Sequence, residues 1–374
     1  MSRQSELAEL SRVYDNGTLS NRNIIVNGGM TISQRGTSLA TAATDSYLLD
    51  RIRYEKSGVS TVVTMSQATD GPAGVSDKSL KFQITTAGAS TPSSGHYHQF
   101  IYKGEGNTVD HIGLGTSDCK PMVLSFYAKA STTGTLPFSI HNDTGIVVYS
   151  STYNIATADT WQRYTYKLPA VTTGTWLTGT NQGFAIRFGL EYGSDFTGGT
   201  PNQWRTLASG FTGSGGFQSA YTNALGSTLN ATLNITGIQL EMGTEATPFE
   251  VRSFGDELAR CQRYYSVLDS QFSNGAYYRY CNAFMNAAAA AQGTYHFPVE
   301  MRATPTLTAS GTIAVYDGTN VLNAGSVAIG SDGSGKQFVS IGLGSIASGG
   351  VQYRPCVILS GGNTTSKIEF SAEL

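Results

Sequence analysis

The sequence predicts an all-β protein: a jelly-roll β-sandwich followed by a smaller C-terminal β domain, with a short helix at the N-terminus and a second helix linking the two β parts. Three observations lead there. Charged residues are only 13 % of the 374, while 44 are Gly, 20 are Tyr and 16 are Phe, a composition that suits many short strands joined by tight turns. Apolar and polar residues alternate over run after run, which is the period of a half-buried strand. The length, at roughly 100–200 residues per domain, favours two folded units with cores of their own.

The elements follow in chain order. In residues 1–20, Leu7, Leu10, Val13 and Tyr14 recur at helical spacing and "YDNGT" ends the helix with a turn. So short a helix is unstable alone, so it is expected to dock on its own chain, on its copies or on another protein. Residues 21–252 read as the sandwich, opening with "NIIVNGGM" and continuing through "STVVTMSQA", "KSLKFQITT", "MVLSFYAKA", "LPFSIHND", "GIVVYSS", "WQRYTYKLP", "GFAIRFGLEYG" and "TLNITGIQLE". A long Gly- and Ser-rich connection, Gly193 to Ala224, interrupts them, and loops of that length inside a compact domain are usually functional or folded over the surface. Thr247-Pro248 stops the last ladder, Ser253 stands as N-cap, and Asp256 and Glu257 suit the first turn of a linking helix over 253–268. Its predicted buried face is Leu258, Cys261, Tyr265 and Leu268. Residues 269–374 read as the C-terminal β domain, a complete module whose chain ends within a strand.

Several function classes are set aside. A net charge of −2 offers no general pull toward nucleic acid or an anionic membrane. The start, "MSRQSELAELSRVYDNG", lacks the apolar core of a signal peptide, and no run approaches membrane-spanning length. The protein is therefore expected to be made in the cytosol and not to leave by general secretion. Cys119, Cys261, Cys281 and Cys356 show no metal-ligand spacing and are expected as buried free thiols. A surface-type composition without a secretion signal fits particles assembled inside a cell and released by lysis. No nucleophile elbow, phosphate loop or HExxH is found, so no enzyme activity is predicted. Asp143, Asp159, Glu191, Asp195 and Glu241 are the carboxylates available to a glycan-cleaving site.

Three stretches together resemble a known family. "NIIVNGGMTISQRGTS" with "DSYLLDRI" looks like the opening of sandwich domains in tail-fibre and related appendage proteins of tailed bacteriophages. "ITGIQLEMGTEATPFEVRSFGDELARCQRYY" looks like their strand-to-helix close, and "FPVEMRATPTL" resembles the segment that follows. The sandwich, with "MVLSFYAKA" and "TWQRYTYKL", is also similar to carbohydrate-binding modules of the jelly-roll type. The resemblance implies a homotrimeric virion protein, assembled in the host cytoplasm, whose ends touch the host; bound Ca²⁺ is a further implication. The function expected is a tail fibre binding host-surface glycan, attached to other virion proteins through its N-terminal segment. An architectural virion protein (head fibre, decoration or tail adaptor) is the alternative, and a glycan hydrolase ranks third.

Sugar binding needs exposed aromatic rings against the apolar face of a pyranose and polar side chains for its hydroxyls. Trp204, with Arg205, Asn202 and Gln203, is the best local match, and Trp176 ranks second. Trp161 is placed in the sandwich core. His96 and His98, at i and i+2, would share a strand face but need a third ligand, such as Asp110 or His111, to hold a metal, so no metal site is assigned. Leu7, Leu10, Tyr264, Tyr265, Tyr277 and Tyr278 are the candidates for contacts between domains or subunits.

Overall fold

The computed structural model describes residues 21–208, 217–270, 277–330, 333–346 and 349–374. The predicted N-terminal helix, with Leu7 and Leu10, lies outside them. The chain divides between Glu257 and Leu258 into two compact units. The first contains β1 (Ser38–Leu39), β2 (Ser46–Tyr47), β3 (Ile52–Ser57), β4 (Val62–Ala68), β5 (Ser79–Thr86), β6 (Tyr97–Glu105), β7 (Met122–Ala130), β8 (Gly134–His141), β9 (Val147–Ile155), β10 (Gln162–Leu168), β11 (Gln182–Tyr192), β12 (Gln203–Thr206) and β13 (Thr232–Met242). A six-stranded sheet in the order β1-β4-β5-β13-β7-β10 faces a seven-stranded sheet in the order β12-β9-β8-β11-β6-β3-β2. All pairings are antiparallel, and the unit is the jelly-roll sandwich that the sequence predicts.

Register explains the core. Phe138, Phe188, Phe100 and Tyr54 stand side by side across β8, β11, β6 and β3. Period-2 alternation points this whole row inward, where Phe126 of β7 and Phe82 of β5 meet it. Phe100 and Phe188 stack at 4.9 Å, Phe126 meets Phe188 edge to face at 5.0 Å, and Phe82 lies 5.0 Å from Phe100. Each such buried ring contributes about 1.5–3 kcal/mol relative to exposure.

Three expectations are corrected, the third being the extent of the linking helix. "NIIVNGGM" is not a strand: it runs as buried turns, and Asn27 holds a left-handed φ of 61°. Its polar groups go to the closing segment more than 200 residues away in sequence. Glu250 accepts from the amides of Arg22 (3.1 Å) and Asn23 (2.9 Å), Glu257 accepts from the amide of Asn27, and Arg252 donates to the carbonyls of Asn23 and Ile25 while pairing with both carboxylates. Burial opposes ionisation of Glu250, but these amides and Arg252 outweigh it, so its pKa lies below the ordinary carboxylate range. The two stretches that resemble a family's opening and close are thus the two halves of one clasp. Trp161 is not in the core: half-buried, it donates from its indole to the Asp70 carbonyl at 2.7 Å and lies under the Lys129 ammonium at 5.2 Å.

The helix α1 covers Phe254–Gln262, with Ser253 accepting from the Asp256 amide as N-cap. It stops short of the expected 268, because Tyr265–Asp269 is strand β14. Alternation there puts Tyr265 and Leu268 into a sheet instead of onto a helical face.

The second unit holds β14 with β15 (Arg279–Ala287), β16 (Ala290–His296), β17 (Thr306–Ser310), β18 (Ile313–Tyr316), β19 (Val321–Asn323), β20 (Ser326–Ile329), β21 (Phe338–Gly344), β22 (Pro355–Ser360) and β23 (Lys367–Ser371). They form sheets β14-β23-β17 and β19-β18-β22-β15-β16-β21-β20 around a core that includes Met285, Ile341, Ile358 and Phe370. Tyr264 and Tyr265 are buried, Tyr278 is half-buried, and Tyr277 is 57 % exposed. All four cysteines are free thiols; Cys281 is half-buried and the other three are buried.

Candidate functional site

The long connection after β11 does two things, and both bear on binding. Its first part forms β12 at the edge of the seven-stranded sheet, where Trp204 pairs with Tyr149 and Arg205 with Val148 of β9. Asn202 turns the chain into this strand at a φ of 64°, a left-handed conformation that asparagine tolerates, and its Oδ1 accepts from the Ser151 hydroxyl at 2.7 Å. Alternation then sends the two leading candidates opposite ways. Trp204 turns to the inner side, 5.6 Å from the Tyr149 ring, with its indole donating to the Pro169 carbonyl at 2.7 Å. Arg205 turns to the outer side and donates to the Ser150 hydroxyl at 3.0 Å.

Trp176 arrives from the loop before β11. Its ring meets Trp204 edge to face at 5.8 Å and 86°, and its indole donates to the Thr173 carbonyl at 3.1 Å. Gly115 makes this seating feasible: its φ is 82°, and a Cβ there would stand 2.7 Å from the Trp176 ring. The structure therefore brings together Trp204 and Trp176, singled out separately from the sequence. Both rings are half-buried, and exposed Asn202, Gln203 and Leu177 flank them. The result is an aromatic ledge at the sandwich edge, with the Asn202 amide on the same side of the strand.

The second part of the connection roofs the outer face of the same sheet. Phe217, Gln218 and Ser219 are buried there; the Phe217 ring lies 4.9 Å from the His141 ring, and the Arg187 guanidinium lies over it at 5.6 Å. Beneath it runs a polar network that sequence reading missed. Arg187 donates to Glu55 at 2.8 Å and to His141 Nε2 at 3.0 Å; Gln99 donates to Glu55 at 2.8 Å; Tyr192 donates to Gln99; and Gln218 donates to Ser139 at 2.9 Å. His141 Nδ1 lies 2.6 Å from its neighbour's carbonyl, which fixes the proton there and leaves Nε2 to accept. Burial, then the Arg187 charge, hold its pKa well below the ordinary histidine value, so the ring is neutral. The signal available in sequence was slight: uncharged Gln218 and Ser219 in a Gly-rich loop look like any surface residues.

The remaining candidates are scattered. His98 is buried in the core, with the Tyr54 hydroxyl 2.7 Å from Nε2, while His96 precedes the strand. Among the described residues, no group of three or more His, Cys, Asp or Glu side chains is placed to hold a metal ion. Glu191 and Glu241 are buried in opposite sheets, Glu191 accepting from Thr61 and Glu241 from Thr247.

No family model matches the chain, and no curated protein matches it. Solved structures similar to it include the enzymatically active domain of tailspike protein 4 from bacteriophage CBA120, at 13 % identity and a TM-score of 0.32, covering 59 % of this chain and 21 % of that one. The chain thus spans about a fifth of the tailspike. Others are TmCBM61 in complex with β-1,4-galactotriose, at 8 % identity and a TM-score of 0.28, covering 60 % of this chain and 100 % of that one, and a family 11 carbohydrate-binding module from Clostridium thermocellum in complex with a mixed-linked tetrasaccharide, at 13 % and 0.25, covering 56 % and 99 %. The structural neighbours therefore include a phage tailspike domain and carbohydrate-binding modules, all at low sequence identity.

Proposed function

We propose that the chain is a tail-fibre module of a tailed phage that binds host-surface glycan at the Trp176–Trp204 ledge. The observation that carries the reading is the ledge itself: two partly buried indoles, both packed against the sandwich core, meet edge to face at a sheet edge. A pyranose ring would lie on them by its C–H face, and the exposed Asn202 amide, on the Trp204 side of the strand, would take one of its hydroxyls, whereas alternation turns Gln203 outward. Arg205 supports the strand from the outer side and does not reach the sugar in this arrangement. One such ledge holds a sugar weakly, with a Kd of about 1 mM corresponding to roughly 4 kcal/mol. Trimerisation would supply avidity. The proposal is of binding without hydrolysis, in a virion protein attached through its N-terminal segment. Support for the phage assignment is the joining, in one clasp, of the two sequence stretches that resemble appendage proteins.

The test is binding of the purified chain to host cells and a glycan array, with Trp204→Ala and Trp176→Ala alongside. Saturable binding that either change abolishes, with no new reducing ends released, is expected. The second reading is an architectural virion protein. It is favoured by the roofed sheet face and by the engagement of both indole N–H groups with the chain's own carbonyls. A stable oligomer that binds virion proteins and no glycan would establish that reading instead.

A further inference from the structure

Glu191, near the end of β11, is a buried carboxylate with one oxygen provided for and one not. Oε1 accepts from the Thr61 hydroxyl at 2.7 Å and stands 3.8 Å from His98 Nδ1. Oε2 is buried and has no hydrogen-bond partner. Among the described residues no Lys or Arg pairs with Glu191: Lys56, close by, turns its ammonium to the Thr61 carbonyl at 3.1 Å. His98 supplies no counter-charge either, since burial outweighs the pull of Glu191 and lowers its pKa, leaving the ring neutral. The carboxylate lines a small pocket of about 20 Å³ with Ser90, Tyr221, Asn223, Gly226 and Ser227. Gly226 comes as near to Oε2 as only a glycine can, because a Cβ there would lie 1.6 Å from that oxygen.

We propose that this pocket binds one monovalent cation of the size of Na⁺, held by Glu191 Oε2 and the Ser227 hydroxyl, with water completing its shell. Size excludes a sugar ring, since a space of about 20 Å³ takes one water-sized occupant. Charge then selects among such occupants. A buried carboxylate without a counter-charge is costly, and a cation removes that cost where a water molecule does not. Valence follows from the wall: Glu191 is its one carboxylate, and no group of three or more His, Cys, Asp or Glu side chains stands together among the described residues. Ca²⁺ sites draw their affinity from several charged ligands, and this pocket offers one. On the same wall, Asn223 is committed to Thr132 and Tyr221 to the Tyr192 backbone. The Ser227 hydroxyl donates to the Ala224 carbonyl at 3.2 Å and keeps its lone pairs for an ion. Such an ion would tie the turn carrying Gly226 and Ser227 to β11. The site is independent of the ledge.

The test is urea unfolding of the full chain followed by tryptophan emission, in mixtures of NaCl and choline chloride at constant ionic strength, with KCl and CaCl₂ as further arms. Na⁺ is expected to raise the folding constant by the factor 1 + [Na⁺]/Kd, a saturating dependence that general salt screening does not give. The larger K⁺ should do less. Glu191→Gln, which keeps the shape and removes the charge, should abolish the Na⁺ effect whatever it does to the stability in choline. Ser227→Ala, which leaves the carboxylate in place, should raise the half-saturating Na⁺ concentration several-fold, and it keeps the test available if Glu191→Gln does not fold. The inference is overturned if the midpoint is the same in Na⁺ and choline, if Glu191→Gln retains the Na⁺ effect, if Ser227→Ala leaves the half-saturating concentration unchanged, or if millimolar Ca²⁺ outdoes Na⁺ in large excess. No sugar enters the assay, so loss of glycan binding at the ledge would leave this result standing.

Discussion

Acid should loosen the sandwich well before its carboxylates protonate, because two of its histidines are buried in the neutral form. His141 lies under the roof against Arg187, with Lys103 also near, and burial followed by the Arg187 charge holds its pKa well below the usual value. His98 is depressed too: burial outweighs the attraction of Glu191, whose carboxylate lies 3.8 Å from Nδ1, and Lys56 adds to the lowering. The unfolded chain takes up these protons near pH 6.5 and the native state takes them up later. Stability is therefore complete above about pH 6.5 and is lost as the pH falls from there through each folded-state value. The loss per histidine is at most about 1.4 kcal/mol per pH unit, and about twice that for both together. Such a loss is a large part of a domain stability of about 5–15 kcal/mol. All 3 tryptophans lie in the first unit, so their emission follows that unit alone. Urea titrations at pH 7.5, 6.5 and 5.5 should show a midpoint that is level above pH 6.5 and falls below it, with His141→Gln removing part of the slope. A midpoint unchanged between pH 6.5 and 5.5, or a wild-type slope in the double His98→Gln, His141→Gln variant, would refute the argument.

Three further outcomes follow from single contacts. Arg252→Ala, which leaves Glu250 and Glu257 without their buried partner, should cost about 3–5 kcal/mol in urea unfolding; Arg252→Lys should recover little, since one ammonium cannot reach four acceptors. Gly226→Ala should destabilise the sandwich by about 1–3 kcal/mol, because a Cβ there overlaps the buried Glu191 carboxylate, and a thermal melt reads it directly. Phe217→Ala should cost about 3–5 kcal/mol and, by uncovering Arg187 and His141, should raise amide exchange along β8 and β11; unchanged exchange there would mean the roof is not what closes that face.

The sequence made legible those strands whose apolar and polar residues alternate, even where, as in β11 and β13, both faces are buried. "MVLSFYAKA" is β7 residue for residue, and β10, β11 and β13 fall within the stretches that alternation marked. It concealed β3 and β6, central in their sheet, because the roof and neighbouring loops bury polar residues such as Glu55 and Gln99 on the outer side. Arg53 and Glu55 in "IRYEKS" look like surface charge until Arg187, from a strand 132 residues on, is seen to pair with Glu55. "NIIVNGGM" failed in the opposite sense: its apolar run mimics a strand, while its amides are committed to carboxylates that no local pattern predicts. The ledge was half legible. Each tryptophan stood out by type and by its turn-rich setting, but their approach needed the loop before β11 and the edge strand β12 to meet in space.

That meeting has a consequence for where a ligand can land. One connection both supplies β12, which carries Trp204, and lays Phe217 to Ser219 across the sheet's outer face. Covering the face and making the ledge are therefore one structural event. The network under the roof is nearly complete in itself, with Gln218 Oε1 the atom of that side chain that accepts no bond among the described residues. Opening the roof for a sugar would strand Arg187 and Glu55 from the ring and amide that shield them, at the several kcal/mol that exposing a buried aromatic alone costs. A single sugar at about 4 kcal/mol would lose most or all of its binding free energy to that opening. Deleting the connection would remove ledge and roof together and leave their roles confounded, so the ledge has to be tested by changing Trp204 and Trp176 one at a time with the roof intact.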